Sequence, residues 1–76
     1  MLRFNGDESK LKSKIHASGV EGKWIDDGRG KIYFRSRKKG ILNFWPTTRT
    51  VNFQGQTAGQ YELLDCFEND DFEDVW

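Results

Sequence analysis

One cysteine, one proline, one methionine and one histidine are spread over 76 residues. A lone Cys66 cannot close a disulfide within the chain, and without a CxxC pair or a Cys/His cluster the ligand set of a structural zinc site is missing. No apolar run approaches the ~18 residues of a membrane span. The opening Met1-Leu2-Arg3-Phe4-Asn5-Gly6-Asp7 lacks the apolar stretch and small-residue cleavage site of a secretory signal. The expectation is therefore a cytoplasmic protein with no membrane partner and no cofactor. Its length allows one small domain, which buries only ~60% of its unfolded surface. A further absence is positional, because no Lys or Arg follows Arg49.

That absence divides the charge. Residues 1–49 carry twelve bases against five acids, a net of +7. Residues 50–76 carry only Glu62, Asp65, Glu68, Asp70, Asp71, Glu73 and Asp74, a net of −7. The chain as a whole is neutral. An asymmetry of this size points to a nucleic acid or a charged protein as partner, and a short acidic tail is also a common solubilising device. Aromatics are plentiful, with six Phe, three Trp and two Tyr, so the chain can build a core.

After a short leader, Asp7 is placed to cap a helix from Glu8 to about Ser18, with Leu11 and Ile15 as its buried stripe, Lys10, Lys12 and Lys14 as a basic flank, and Gly19 as its stop. From Val20 the period changes to two. Lys23-Trp24-Ile25, Lys31 to Arg35, Ile41 to Trp45 and Thr50 to Gln54 read as strands, separated by turn-forming segments at 26–30, 36–40 and 46–49. Thr57 with Gln60 three residues on gives a capping-box pattern for a second helix through about Phe67, with Tyr61, Leu64 and Phe67 in the core and Leu63 alongside. The fold class is thus α+β, a four-stranded antiparallel meander with two helices packed on one face in the order α-β-β-β-β-α. Residues 1–67 form the single domain. Residues 68–76, with five acids in nine, are expected to be a mobile or loosely docked tail.

Alternation divides each strand into an inner and an outer set. The more apolar set, Ile32, Phe34, Leu42, Phe44, Val51 and Phe53, is assigned to the core with Trp24. The outer set is Lys31, Tyr33, Arg35, Ile41, Asn43, Trp45, Thr50, Asn52 and Gln54. Flat aromatics can stack on bases, and amides and guanidinium groups can hydrogen-bond base edges and phosphates. Tyr33 and Trp45 also make sense as a cross-strand pair that merely stabilises the sheet. Beside the face, Arg35-Ser36-Arg37-Lys38-Lys39 puts four bases in five residues, suited to a phosphate backbone or to keeping a hairpin tip soluble.

No catalytic constellation emerges. His16 has no Ser or Cys partner at a recognisable spacing, and an acidic helix around Cys66 disfavours its thiolate. Asp26-Asp27-Gly28 lacks the later Glu of a calcium loop, and Gly28-Arg29-Gly30 lacks the lysine and helix of a phosphate-binding loop. A non-enzymatic role is expected.

The segment from Gly40 to Phe67 runs from a strand through Pro46-Thr47-Thr48-Arg49 to Thr50-Val51-Asn52-Phe53-Gln54-Gly55-Gln56 and into a helix. It resembles a TATA-binding-protein-like half repeat, as in the substrate-binding module of one bacterial class of ribonuclease H. The likeness rests on Val51, Phe53, Gln54 and Gly55. It implies nucleic-acid contact through the uncovered sheet face, at Tyr33, Asn43, Trp45, Asn52 and Gln54. The chain has half the length of the paired-repeat proteins, so duplex bending would require a homodimer. Double-stranded-RNA-binding domains share the helix-strands-helix order but carry a Lys-rich second helix, and here that helix is acidic. The end, Asp70-Asp71-Phe72-Glu73-Asp74-Val75-Trp76, is similar to the partner-recruiting tails of bacterial and phage single-strand-binding proteins.

The sequence thus supports a small nucleic-acid-binding module in which Tyr33, Arg35, Arg37, Lys38, Lys39, Asn43, Trp45, Asn52 and Gln54 make the contacts and the acidic tail masks them. The alternative is a phage or mobile-element protein that inhibits a host nuclease or defence complex. Asp70, Asp71, Phe72, Glu73, Asp74 and Trp76 would then imitate phosphates on a basic nucleic-acid-binding protein. A third reading, a structural subunit, requires the outer sheet face to be buried between copies.

Overall fold

A computed structural model describes residues 2–74. The strands form where β-branched and aromatic residues alternate between turn signals: β1 (Leu2–Phe4), β2 (Gly22–Asp26), β3 (Ile32–Ser36), β4 (Gly40–Trp45), β5 (Thr50–Gly55) and β6 (Phe72–Asp74). The helices are α1 (Glu8–Ala17) and α2 (Thr57–Leu64), and Asn69–Asp71 adds one 3-10 turn. All strand pairs are antiparallel, and the sheet order is β2-β3-β4-β5-β1-β6. The fold is α+β. The expected four-strand meander is β2 to β5, and the two terminal segments extend it to six strands.

Asp7 caps α1 by accepting the Lys10 backbone N–H at 2.9 Å, and the helix buries Leu11 and Ile15. The β2–β3 turn is held by Asp26 and Asp27, whose carboxylates accept the backbone N–H groups of Gly28 and Arg29, both at 2.8 Å. In the β3–β4 turn the buried Ser36 hydroxyl accepts the Gly40 N–H at 2.9 Å. The positive φ of that turn falls on Lys39 (65°) and that of the β4–β5 turn on Arg49 (62°). Each turns its carbonyl toward another element: Lys39 O accepts the Gln56 N–H at 3.0 Å, and Arg49 O accepts the Phe4 N–H at 2.7 Å.

The core is Phe4, Leu11, Ile15, Ile32, Phe34, Leu42, Phe44, Val51 and Leu63, with both helices on the same side of the sheet. Phe4 is the hub of a phenylalanine cluster, with ring centroids 6.2 Å from Phe44, 5.7 Å from Phe67 and 6.1 Å from Phe72. Phe72 also meets Phe53 at 5.9 Å and Phe67 at 5.1 Å. This cluster explains the first departure from the sequence reading. The leader is a strand inserted between β5 and β6, and residues 68–74 are docked against it where a mobile or loose tail was expected. Three-residue strands show no period of their own, and burial of Phe4 and Phe72 supplies what local pattern does not.

The second departure is the face of α2. The helix buries Gly59 and Leu63 and leaves Tyr61 63% and Leu64 36% exposed. The reason is backbone contact, since a Cβ on Gly59 would fall into the Gly40 backbone and a Cβ on Gly40 into that of Gly59. That approach fixes the 59/63 face against β4 and turns 61 and 64 outward. The helix ends at Leu64, short of Phe67. Its N-cap is Gln56 in place of Thr57, with Gln60 Nε2 donating back to Gly55 O at 2.9 Å.

Candidate nucleic-acid interface

The register places the outward side chains of the sheet in rows. Lys23, Arg35, Ile41 and Gln54 form one, and Ile25, Tyr33, Asn43 and Asn52 the next. Trp45, Thr50, Arg3 and Glu73 form a third. Parity therefore matches the expected outer set and adds Lys23, Ile25, Arg3 and Glu73. Lys23 and Ile25 were legible in the sequence, because placing Trp24 inward places its two neighbours outward. Lys31, Tyr33, Arg35, Ile41, Asn43 and Gln54 together line a shallow depression of about 420 Å³.

Within it the polar groups are unequal. Asn43 is only 3% exposed, and its Nδ2 donates to Gln54 Oε1 at 2.9 Å. Asn43 thus orients Gln54 and is not itself open to a ligand, whereas Asn52 and Gln54 are exposed. The Lys31 ammonium sits 5.4 Å from the Tyr33 ring centroid and 5.7 Å from that of Trp45, with Asp27 Oδ2 3.9 Å away. It covers the two rings that the sequence reading offered for stacking.

The cations also separate into committed and free. Lys12 pairs with Glu8 at 3.1 Å and Lys14 with Asp71 at 2.8 Å, and Lys10 donates to Asn5 O at 3.1 Å. The basic flank of α1 is thus tied up internally. On the hairpin, Arg37 pairs with Glu21 at 2.9 Å and Lys38 lies 3.8 Å from Glu62. Among the described residues Lys23, Arg35 and Lys39 have no carboxylate partner within 4.0 Å. Lys23 and Arg35 stand directly opposite each other.

The acidic candidates lie elsewhere. Asp71 is 5% exposed, and its Oδ2 accepts the Glu68 N–H at 2.8 Å besides the Lys14 ammonium. Burial pushes the Asp71 carboxyl up, but the Glu68 N–H and Lys14 outweigh it and hold the group below its ordinary value. The hydrogen bond to Asp71 raises Lys14 in turn. Phe72 is in the phenylalanine cluster, Glu73 accepts from Arg3 at 3.0 Å, and the Asp70 carbonyl accepts from Asn5 at 2.9 Å. Asp70, Glu73 and Asp74 remain on the surface, and Trp76 lies outside the described residues. Strand β6 is at the far edge from β2, about 24 Å across five inter-strand steps. Residues 72–74 consequently do not cover the basic hairpin. Burial raises Cys66, with Glu62 and Asp65 adding to the effect.

Among the described residues no helix is long and apolar enough to cross a membrane. The chain matches no protein-family model, no curated protein and no solved structure.

Proposed function

We propose that the protein binds nucleic acid through the sheet face its helices leave uncovered. The observation that carries this reading is the Lys23–Arg35 pair. Directly opposed residues on one face hold their Cβ atoms about 4.5–5.5 Å apart, and like charges there destabilise a sheet. Neither has a carboxylate to compensate. A bound phosphate supplies the missing counter-charge, and Lys39 on the same hairpin extends the site.

Beside these cations lie Ile25, Tyr33, Ile41 and Trp45, all half-buried, so an apolar patch is framed by positive charge. Bases with their phosphates have that combination of chemistry. In this arrangement Lys23, Arg35 and Lys39 meet phosphates, Tyr33 and Trp45 meet bases, and Asn52 and Gln54 meet base edges. Arg37 and Lys38 contribute less, being shared with Glu21 and Glu62. The likeness of residues 40–67 to a TATA-binding-protein-like half repeat points to the same face. The inhibitor reading is weakened because Asp71 is buried, Phe72 is packed in the phenylalanine cluster and the exposed Glu73 is paired with Arg3.

The test is Arg35→Glu. It converts the opposed pair into a cross-strand ion pair, so stability should rise by about 0.2–1 kcal/mol while nucleic-acid binding is lost. Amide shifts in wild-type protein should move at Lys23, Tyr33, Arg35 and Gln54 on titration, and less so in high salt. Unchanged affinity for strands and duplexes in both Arg35→Glu and Lys23→Glu would remove the basis of the proposal.

A further inference from the structure

Resting on that reading, we infer that the nucleic acid is single-stranded, a tract of about four nucleotides whose bases stack on Tyr33 and Trp45 after Lys31 has moved off them. Three observations lead there. An undistorted duplex presents base edges and phosphates and exposes base faces only where it is kinked open, so Tyr33, Trp45, Ile25 and Ile41 would have nothing to pack against unless the duplex were bent. A sheet in a molecule measuring 29 × 29 × 21 Å does not enter a major groove about 12 Å wide. The element that could enter, α1, has its lysines engaged with Glu8, Asp71 and Asn5.

Lys31 gives the site its moving part. Its ammonium lies over both rings and is held by cation–π attraction and a long 3.9 Å approach to Asp27, so no strong bond keeps it there. A base face has more to offer each ring than an exposed ammonium does. Once displaced, the four-carbon stem carries the charge to the rim of the depression that Lys31 and Arg35 both line, where the strand's phosphates run. Lysine is thus a cover for the empty rings and a phosphate ligand for the filled ones.

Fluorescence anisotropy with a short labelled oligothymidylate, an oligouridylate and a mixed-sequence duplex of the same length tests this at two salt concentrations. A single strand should bind at least about tenfold more tightly than the duplex, with one tenfold step per 1.4 kcal/mol. Phosphate contacts from Lys23, Lys31, Arg35 and Lys39 should give a logarithmic salt slope of about −3, and Lys31→Gln should make it shallower by about 0.7. Trp45→Leu, which keeps apolar bulk but has no flat ring, should weaken strand binding by about 5- to 150-fold and leave duplex binding alone. Tyr33→Thr should act in the same direction should Trp45→Leu fail to fold. A duplex bound as tightly as the strands, insensitive to Trp45→Leu but lost in Arg35→Glu, overturns the single-strand inference and leaves nucleic-acid binding standing. So does a strand preference that survives both ring substitutions. Failure of the folded wild type to bind any of the three at low salt overturns the proposed function itself.

Discussion

Replacing Lys39 by glycine is expected to make the protein more stable and a poorer binder at once. Lys39 holds φ at 65° because both its ends are tied, its N–H donating to Ser36 O at 2.9 Å and its carbonyl accepting from Gln56 at 3.0 Å. A side chain in that left-handed region costs about 1–2 kcal/mol relative to its absence. Glycine gives back about 0.4–1 kcal/mol through the greater freedom of the unfolded chain. The net is a gain of roughly 0.5–1 kcal/mol, or about 2–8 °C in Tm for a domain of this size. Urea denaturation and thermal melts of wild type, Lys39→Gly and Lys39→Ala measure it. The alanine variant keeps the strain and loses the charge, so it should stay within about 0.5 kcal/mol of wild type. In the binding assay glycine and alanine should lose affinity equally, because only the charge matters there. A glycine variant no more stable than the alanine one would refute the strain argument. Wild-type affinity in both variants would refute the assignment of Lys39 to the phosphate site.

Three further outcomes are expected. Phe4→Ala removes the hub of the phenylalanine cluster and should cost about 3–5 kcal/mol, a large share of the ~4–11 kcal/mol available to a chain this long; a loss under 1 kcal/mol in urea titration would mean that β1 and β6 are not docked as described. Gly59→Ala should destabilise by about 1–3 kcal/mol, even though alanine improves helix propensity by about 1 kcal/mol, because the added Cβ meets the Gly40 backbone; a stabilised variant would show that α2 can lift away freely. For pH, Asp71 lies below its ordinary 3.8, so its contribution is complete above that value and is lost as the pH falls through the lowered one. Lys14, raised from 10.5, contributes fully below 10.5 and loses its contribution as the pH climbs through the raised value. The gap in urea midpoint between wild type and Asp71→Asn should therefore be constant across the neutral range and close on the acid side. A gap that persists in strong acid would mean that the charge of Asp71 contributes nothing.

What the sequence disclosed of this molecule followed the range over which its signals act. The Asp7 cap, the Asp-Asp-Gly turn and the alternation from Ile32 to Gln54 are local, and together they placed nine outward residues on the correct side of the sheet. The pairing of Leu2 with Val51 and with Asp74 joins segments separated by most of the chain, and three residues carry no period. The α2 face was hidden for another reason: two glycines in contact leave no hydrophobic mark, and Tyr61 and Leu64 carry the stronger apolar signal. At the site, composition named the cations but not their partners. Only the register separates Arg35, which faces another base, from Arg37, which has Glu21.

The neighbouring placement of the first and last described strands has a mechanical consequence. Leu2 stands opposite Asp74, so tension applied at these two positions pulls on the same end of the β1–β6 ladder. An antiparallel pair loaded there opens one rung at a time, and no set of hydrogen bonds shares the force in shear. The first rungs to part are followed by Phe4 opposite Phe72, after which the phenylalanine cluster loses a wall and β1 is held by β5 alone. Force therefore enters this molecule at the edge remote from Lys23 and Arg35, and the four-strand meander that carries the binding face would be the last part of the sheet to feel it.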